Sequence, residues 1–449
     1  MKPLTILNIN THEARGGAAC VARQLHRSFL ERGHDSWYVV REKSSDDQRV
    51  LSISNREGAW KKACRRLSAA IHAHNPGFAA TIHRALVADI GQPLHWLNGI
   101  LGREDMLYPD TGRILHMLPT KPDVILCHNL HGGYFDLRQL PALCRAAPVA
   151  LSMHDAWLLA GHCAHSLGCD KWLDGCGPCP DVGRSVALRR DGSRGNWRIK
   201  KRIYASSDLT VITPCRWLMK KVERSILAGG MRRGHVIPYG IDQSDIFHPG
   251  SQSEARQRLN LPDDAFICLF VSNGLKTNIW KDFETLEQAV SRLSHLVGER
   301  RVLFLGLGEA GSTEWFGRAA VRYVPFLDSA QAVADYYRAA DVYVHAARAD
   351  TFPNVILEAQ ACGLPVVATA VSGIPEQIDD GETGFLIPPR DGEAMAHALA
   401  RLVEHPDRAK EMGRMASRRA QSLYPMSRMV DDYLHCLSDM AAEAAKTGT

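Results

Sequence analysis

Two carboxylates, Asp350 and Glu358, stand seven residues apart in the stretch Asp350-Thr-Phe-Pro-Asn-Val-Ile-Leu-Glu358. The residues between them read as the start of a helix. Near Phe352, Pro353, Asn354 and Val355 such a helix offers unpaired N–H groups and the positive end of its dipole, which suit a phosphate. Asp350 then falls in the preceding loop and Glu358 about one turn inside the helix, where it can accept hydrogen bonds from sugar hydroxyls beside that phosphate. The same spacing also fits a loop aspartate capping a helix that carries a solvated glutamate. Further candidates follow short apolar runs: Gly16-Gly17 after Leu4–Asn10, His128 and His131 after Asp123–Cys127, and His154-Asp155 after Val149–Met153. A lone histidine is more often structural, but His154 stands where a strand ends and a ligand site can begin.

Four of the twelve cysteines, Cys163, Cys169, Cys176 and Cys179, crowd into 17 residues. The last two form C-x-x-C, spaced for chelating one metal, and the first two form the looser C-x5-C. Four thiolates could close a tetrahedral zinc site that staples a long loop, with His162 and His165 in reserve. Free or disulfide-bonded cysteines in a loop remain the alternative. The other eight cysteines are scattered, several within apolar runs, and read as small core residues.

The elements that must position these residues alternate between strand and helix. Short apolar runs at Leu4–Asn10, Trp37–Val40, Asp123–Cys127, Val149–Met153 and Leu209–Thr213 look like buried parallel strands. A second series begins near residue 265, with strands expected at Phe266–Val271, Val302–Leu305, Val342–His345 and Pro365–Thr369. Helices are expected between them at Phe283–Leu296, Ala330–Ala339 and Asn354–Cys362. Phe247–Asp264 reads as a linker. The expected architecture is α/β: two doubly wound Rossmann-like domains over residues 1–245 and 246–425, with a Cys-rich insertion at about 160–182. A final amphipathic helix over 426–449 would pack back toward the first domain. Ligands of such sheets bind at the carboxyl ends of the strands, so a cleft between the domains is the expected site.

The stretch from Asp350 resembles the signature of the retaining glycosyltransferases of family 4, which have the two-domain GT-B fold. Their pattern is E-x7-E, then A-x-A-C-G-x-P-V-V-A-T, then G-x-P-E. Here Glu358-Ala-Gln-Ala-Cys-Gly-Leu-Pro-Val-Val-Ala-Thr is followed by Gly373-Ile-Pro-Glu376, and Asp350 replaces the first glutamate. Ile237-Pro-Tyr-Gly-Ile-Asp242 is similar to I-P-N-G-V-D, and Val271-Ser-Asn-Gly-Leu with Lys281-Asp partly matches V-G-R-L…K-G. The resemblance implies a nucleotide-sugar donor whose diphosphate meets Lys281. Asn273 stands at the family's arginine position, with Lys276 as the nearby cation that could compensate. It also implies that Glu358 holds the ribose, that Asp350 and His154 orient the donor sugar, and that Gly16-Gly17 lies close to donor and acceptor. His128 and His131 are assigned to the acceptor. The block H-D-x-W…G-H-C…C-x-x-W…C-G-x-C-P is similar to a subgroup that includes colanic-acid-type enzymes of bacterial polysaccharide assembly. No cofactor is expected for catalysis.

Composition bounds the rest. The 449 residues are 45% hydrophobic, 23% charged and 7% aromatic, ordinary for a globular protein. The net charge of +5 is too small to imply nucleic acid. From Arg184 to Arg233, however, 14 Lys/Arg meet 3 Asp/Glu, with Trp197 and Trp217 interleaved. That suggests an anionic membrane surface or a lipid-pyrophosphate acceptor, or else a solvated basic face. With no long apolar run and no export signal in Met1–Asn10, a cytoplasmic protein is expected, peripheral to the membrane if it touches it. Other readings are a nucleotide-sugar epimerase or hydrolase of the same fold, and a non-catalytic scaffold. Gly306-Leu-Gly308-Glu-Ala-Gly311 matches G-x-G-x-x-G and gives the best support for a dinucleotide oxidoreductase.

Overall fold

A computed structural model describes residues 2–53, 59–74, 90–104, 106–317 and 319–447. The chain divides into two compact units. The first comprises Met1–Thr213, Leu218–Val236 and Tyr433–Thr449, and the second Pro214–Trp217 and Ile237–Asp432. The first unit's main segment thus ends at Val236, ahead of the expected boundary at 245.

The first unit is built on a sheet of seven parallel strands: β1 (Thr5–His12), β2 (Asp35–Glu42), β3 (Val50–Ser52), β4 (Val124–Cys127), β5 (Val149–Ser152), β6 (Leu209–Thr213) and β7 (Met231–Val236). Their order is β3-β2-β1-β4-β5-β6-β7. Strands β4, β5 and β6 are buried on both faces, which explains their unbroken apolar sequences. Strand β7 is an edge strand of sequence MRRGHV, largely exposed, and carries no apolar signal. The helices of this region are α1 (Gly17–Glu31), α2 (Ala59–His74), α3 (Pro93–Ile100), α4 (Leu140–Ala146), α5 (Ser193–Ala205) and α6 (Arg216–Glu223).

The second sheet has strands β8 (Phe266–Val271), β9 (Val302–Leu307), β10 (Glu314–Phe316), β11 (Ala319–Val324), β12 (Val342–His345), β13 (Val366–Thr369) and β14 (Gly384–Ile387), in the order β10-β11-β9-β8-β12-β13-β14. Among the described strands of this sheet, only β10 runs antiparallel to its neighbour. Helices α7 (Gln252–Arg258), α8 (Phe283–Leu296), α9 (Ala330–Ala339), α10 (Asn354–Ala361), α11 (Gly392–Glu404), α12 (Pro406–Leu423) and α13 (Met426–Thr447) complete the order. Phe270, Phe304, Val344, Leu293 and Leu399 meet in the core between this sheet, α8 and α11.

The stretch read as a linker is corrected: it holds α7. Ser251 caps that helix by accepting from the Glu254 N–H. Arg256 is buried, and its guanidinium meets Asp341 at 2.7 Å. Gly, Pro and Ser made the segment look loose, but its one buried arginine ties it to the start of β12.

Strand order fixes where a ligand can bind. In the first sheet the direction of winding reverses between β1 and β4, and in the second between β8 and β12. At such a switch point the loops leaving adjacent strands part and open a crevice at the carboxyl ends. The loops concerned carry Gly16 and His128 in one unit, and Lys281 and Asp350 in the other. Among the described residues no helix is long and apolar enough to cross a membrane.

Candidate active site

In the second unit the loops leaving β8 and β12 are laced together. Asp282 N–H donates to Ala346 O at 3.1 Å, Arg348 N–H donates to Trp280 O at 2.9 Å, and Lys281 bridges to Ala347. Thr369, at the end of β13, pins the second loop: its hydroxyl accepts from Ala347 N–H at 3.0 Å. Lys281 Nζ is thereby set 2.8 Å from Asp350 Oδ2 and 3.2 Å from His345 Nε2. Burial would raise the Asp350 carboxyl, but Lys281 and then His345 hold it well below the usual carboxylate range. His345 is pushed down to about 4 by burial and by Lys281, so it is neutral at pH 7. Its other nitrogen meets the Tyr343 hydroxyl at 3.1 Å. His345 was not anticipated, although it ends a strand just as His154 nearly does.

Helix α10 begins after Pro353, and no side chain caps it. Its first N–H groups therefore remain open to a ligand. Phe352 and Pro353 are buried, Asn354 and Val355 half-buried. Phe352 is wedged edge-on between Tyr239 and Tyr424, and Gln377 donates to Pro353 O at 3.1 Å, so this end of the helix is rigidly held. Asn354 Oδ1 and Thr351 Oγ1 are buried there without a hydrogen-bond partner. Unsatisfied buried polar atoms are costly and mark a place where a bound group can supply partners. One turn in, Glu358 Oε2 accepts from the Tyr337 hydroxyl at 2.9 Å. Burial pushes the Glu358 carboxyl up to about 7.

In the first unit Gly16 has φ 90° and precedes α1, which has no side-chain cap. Nothing lies within 4 Å of where a Cβ would stand, so a ligand could approach the backbone closely there. His128 Nδ1 and His154 Nε2 are 3.0 Å apart with their rings stacked. Burial pushes His154 down to about 4 and His128 well below its ordinary value, so both are neutral. His131 Nε2 pairs with Asp155 Oδ2 at 2.9 Å. Burial opposes charge on both partners, yet each favours the other's ionised form: His131 is raised and Asp155 is held at about 2. The site residues of this unit thus form one neutral histidine pair and one histidine–carboxylate pair in which each partner favours the other's ionised form.

The basic stretch is partly turned inward, and the place expected for Trp197 is corrected. Lys200 is fully buried, ion-paired with Glu104 at 3.0 Å, and Trp197 is buried with its indole N–H donating to Trp172 O at 2.8 Å. Neither lies on a membrane-facing surface.

All four clustered cysteines are free thiols. They line one small cavity of about 20 Å³ together with His162 and Trp172. Among the described residues no three His, Cys, Asp or Glu side chains form a ready cage for a metal ion.

Residues 265–405, which hold Lys281, Asp350 and Glu358, match the family described as glycosyl transferases group 1. This segment is similar to group 1 glycosyltransferase domains. The chain is similar to D-inositol 3-phosphate glycosyltransferase 1 of Catenulispora acidiphila, at 32% identity over 65% of this chain and 66% of that one. It is also similar to the D-inositol 3-phosphate glycosyltransferase of Streptomyces griseus, at 35% identity over 44% and 45%. It therefore spans about half to two thirds of the length of these relatives. Its two Rossmann-like units match solved GT-B structures. Sucrose-phosphate synthase of Thermosynechococcus elongatus aligns over 98% of this chain and all of its own, with a TM-score of 0.64 and 19% identity. Anabaena HepE in complex with UDP-glucose aligns over 97% of this chain and all of its own, with a TM-score of 0.58 and 16% identity.

Within the segment that matches this family, Asn273 is exposed. Lys276 is engaged elsewhere: Nζ meets Glu314 at 2.8 Å and lies 4.5 Å from the Tyr323 ring centre. To serve a diphosphate it would have to leave both. The G-x-G-x-x-G reading fails on context, because the dinucleotide fingerprint must open a helix. Here Gly306–Gly311 runs from β9 to β10. Gly308 is needed for packing, since a Cβ there would stand 2.2 Å from Ser272 O.

Proposed function

We propose that this protein transfers a sugar, with retention of configuration, from a nucleotide-sugar donor to a hydroxyl of a glycan or lipid-pyrophosphate-linked acceptor in cell-surface polysaccharide assembly. The observation that carries this reading is the arrangement at the switch point of the second sheet. A lysine–aspartate pair stands in the loops there, and α10 follows with an uncapped end and Glu358 one turn inside it. Lys281 and the N–H groups at Asn354 and Val355 neutralise the donor diphosphate, Glu358 holds the ribose hydroxyls, and Asp350 orients the sugar. Charge develops on the departing diphosphate, and fixed cations and dipoles stabilise it best when they are already in place. In this reading Lys281 and the helix end do that work, so no divalent ion is assigned to it. The neutral His128–His154 pair is assigned to sugar and acceptor handling.

Thermal-shift binding to UDP-, GDP-, ADP- and dTDP-sugars, with NAD(P) as control, tests the donor class, because a ligand of the native state raises its melting temperature. One stabilising nucleotide sugar supports the reading; stabilisation by NAD(P) alone overturns it. The acceptor panel should include D-inositol 3-phosphate, the acceptor named for the relatives, beside lipid-linked glycans. Donor turnover that needs no acceptor would point to an epimerase or hydrolase instead.

Glu358 gives a pH test. Ribose hydroxyls donate hydrogen bonds, so the donor prefers the ionised carboxylate, and binding must expel a proton wherever Glu358 holds one. With the carboxyl at about 7, donor affinity is expected to fall by up to about tenfold per pH unit below neutrality and to level off above pH 8. Glu358→Gln should weaken binding and flatten the profile. The same shift bears on stability. A carboxyl raised in the folded state stabilises it below its unfolded value of 4.5, and that contribution is lost as pH rises through 7. Hence Glu358→Gln should also raise Tm at pH 8. A steep, unchanged pH profile in the variant would remove Glu358 from the donor site.

The acceptor side also has a candidate surface. Leu94, Trp96, Leu97 and Ile100 of α3 and the following Leu101 are exposed, Leu94 by 62%. Arg189 lies beside them, since a Cβ on Gly99 would stand 3.4 Å from its Cδ. Exposed apolar side chains with a basic one beside them suit an anionic bilayer surface. Replacing Leu94, Trp96 and Leu97 together by serine is expected to cut co-sedimentation with anionic vesicles by about tenfold or more. Equal binding by variant and parent would show that this face does not meet lipid.

A further inference from the structure

We propose that the loop between β5 and α5 is a structural zinc site, with the thiolates of Cys163, Cys169, Cys176 and Cys179 as its four ligands. All four thiols are free and border a single cavity of about 20 Å³. That space is far too small for a metabolite and of the order needed by one water-sized species. The sulfurs are close enough to act on one another electrostatically: Cys163 on Cys176 and Cys179, and Cys169 on Cys176 and Cys179. Four soft ligands around one small void suit zinc better than a hard cation.

The backbone is already shaped for this. Leu167 and Gly168 take positive φ just before Cys169, and Gly175, Cys176 and Gly177 do so just before Cys179. Left-handed turns at non-glycine residues are unfavourable and need a reason; here they fold the chain back so that the last three cysteines border one space. The Gly161 N–H donates to Cys176 Sγ at 3.4 Å, as a thiolate requires. His162 is held by its Nδ1 donating to Val186 O at 2.8 Å, with Nε2 3.2 Å from Cys179 Sγ. With its proton on Nδ1, the ring accepts the Cys179 S–H through Nε2, a bond given up when that thiol loses its proton to bind the ion.

The sulfurs do not yet form a cage among the described residues. The ion would close the ring, drawing each sulfur to about 2.3 Å while four thiol protons leave to solvent. The resulting double negative charge would lie near Arg184 and Lys200, which already act on Cys163. Closure would stiffen a loop that starts just after Asp155, the partner of His131, and that docks on α5 through the Trp197–Trp172 hydrogen bond.

Metal analysis of the full-length protein, purified under reducing conditions and reconstituted with zinc, should find about one zinc per chain. Mercurial titration of the unmodified protein should release that zinc as four thiols react, a measurement that needs no variant to fold. Cys176→Ser and Cys179→Ser should each lose the metal, whereas His162→Ala should keep it. The cobalt-substituted protein should show sulfur-to-cobalt charge transfer of four-thiolate strength. Absence of tightly held zinc after reconstitution overturns the proposal, as does its retention in both serine variants. Loss of zinc in His162→Ala with retention in Cys163→Ser overturns the ligand set in favour of three thiolates and the histidine.

Discussion

Lys281→Ala is expected to lower kcat/KM by about 10³-fold, roughly 4 kcal/mol of transition-state stabilisation, once the donor is known. Lys281 is the cation assigned to the donor diphosphate in the proposed reading, and it stands 2.8 Å from Asp350; Asn273 brings no charge and Lys276 is bound to Glu314. The loss should fall more on kcat than on KM, because the negative charge on the diphosphate grows as the sugar leaves. Lys281→Arg keeps the charge but changes its geometry, and should recover only part of the activity. The alanine variant also strips Asp350 of its main partner. Asp350, depressed in the folded protein, contributes stability above its unfolded pKa of 3.8 that is lost as pH falls through the lower folded value. Without Lys281 that contribution shrinks, so Tm at pH 7 should drop as well. Asp350→Asn with Lys281→Ala removes the unpaired charge and should restore much of the lost Tm without restoring turnover. A Lys281→Ala protein that keeps near-parental kcat/KM would remove Lys281 from the mechanism.

The parts of this site that sequence reveals share one property: they lie close together along the chain. Asp350, the start of α10 and Glu358 fall within nine residues, so helical rise and dipole direction suffice to place them together, while the roles expected of them come from the family resemblance. Fully buried strands such as β8 and β12 announce themselves as apolar runs. Elements that depend on distant partners do not. Strand β7, with two arginines, a glycine and a histidine in six residues, is a strand because β6 pairs with it. Helix α7 hides among turn-forming residues because its anchor, Asp341, lies far along the chain. His345 becomes part of the site only when the β8 loop brings Lys281 beside it. The glycines near Gly308 look like a nucleotide loop in sequence, and only their strand-to-strand setting shows otherwise. Lys200 is a different kind of miss. Ser193, Asn196, Trp197, Lys200, Ile203 and Tyr204 form the buried stripe of α5, so helical spacing already placed Lys200 inward; the surrounding basic residues obscured it.

That inward lysine leads to the largest expected effect on folding. Lys200 Nζ bonds to Glu104 and to the carbonyls of Trp157 and Ala160 at 2.9–3.1 Å, and lies 3.7 Å from the Trp157 ring centre. Trp157 in turn donates to Glu104 at 2.7 Å and packs edge-on against His131. Burial lowers the lysine's pKa and raises the glutamate's, so each ion is held against its preference and the pair itself is a weak net stabiliser. Breaking it is another matter, because one buried charge is then left alone. Glu104→Gln and Lys200→Met are each expected to cost about 3–5 kcal/mol, read as a fall in the denaturant midpoint at unchanged m-value. The double variant leaves no charge behind and should cost clearly less than the sum of the two, a coupling visible in a double-mutant cycle. Because the anchored carbonyls belong to the residues just after Asp155, the single variants should also loosen the His131–Asp155 pair and shift the histidine's titration downward by NMR. Additive single effects with an unmoved His131 would mean that the lysine is only filling space, and that the loop owes its position to the cysteine-lined segment instead.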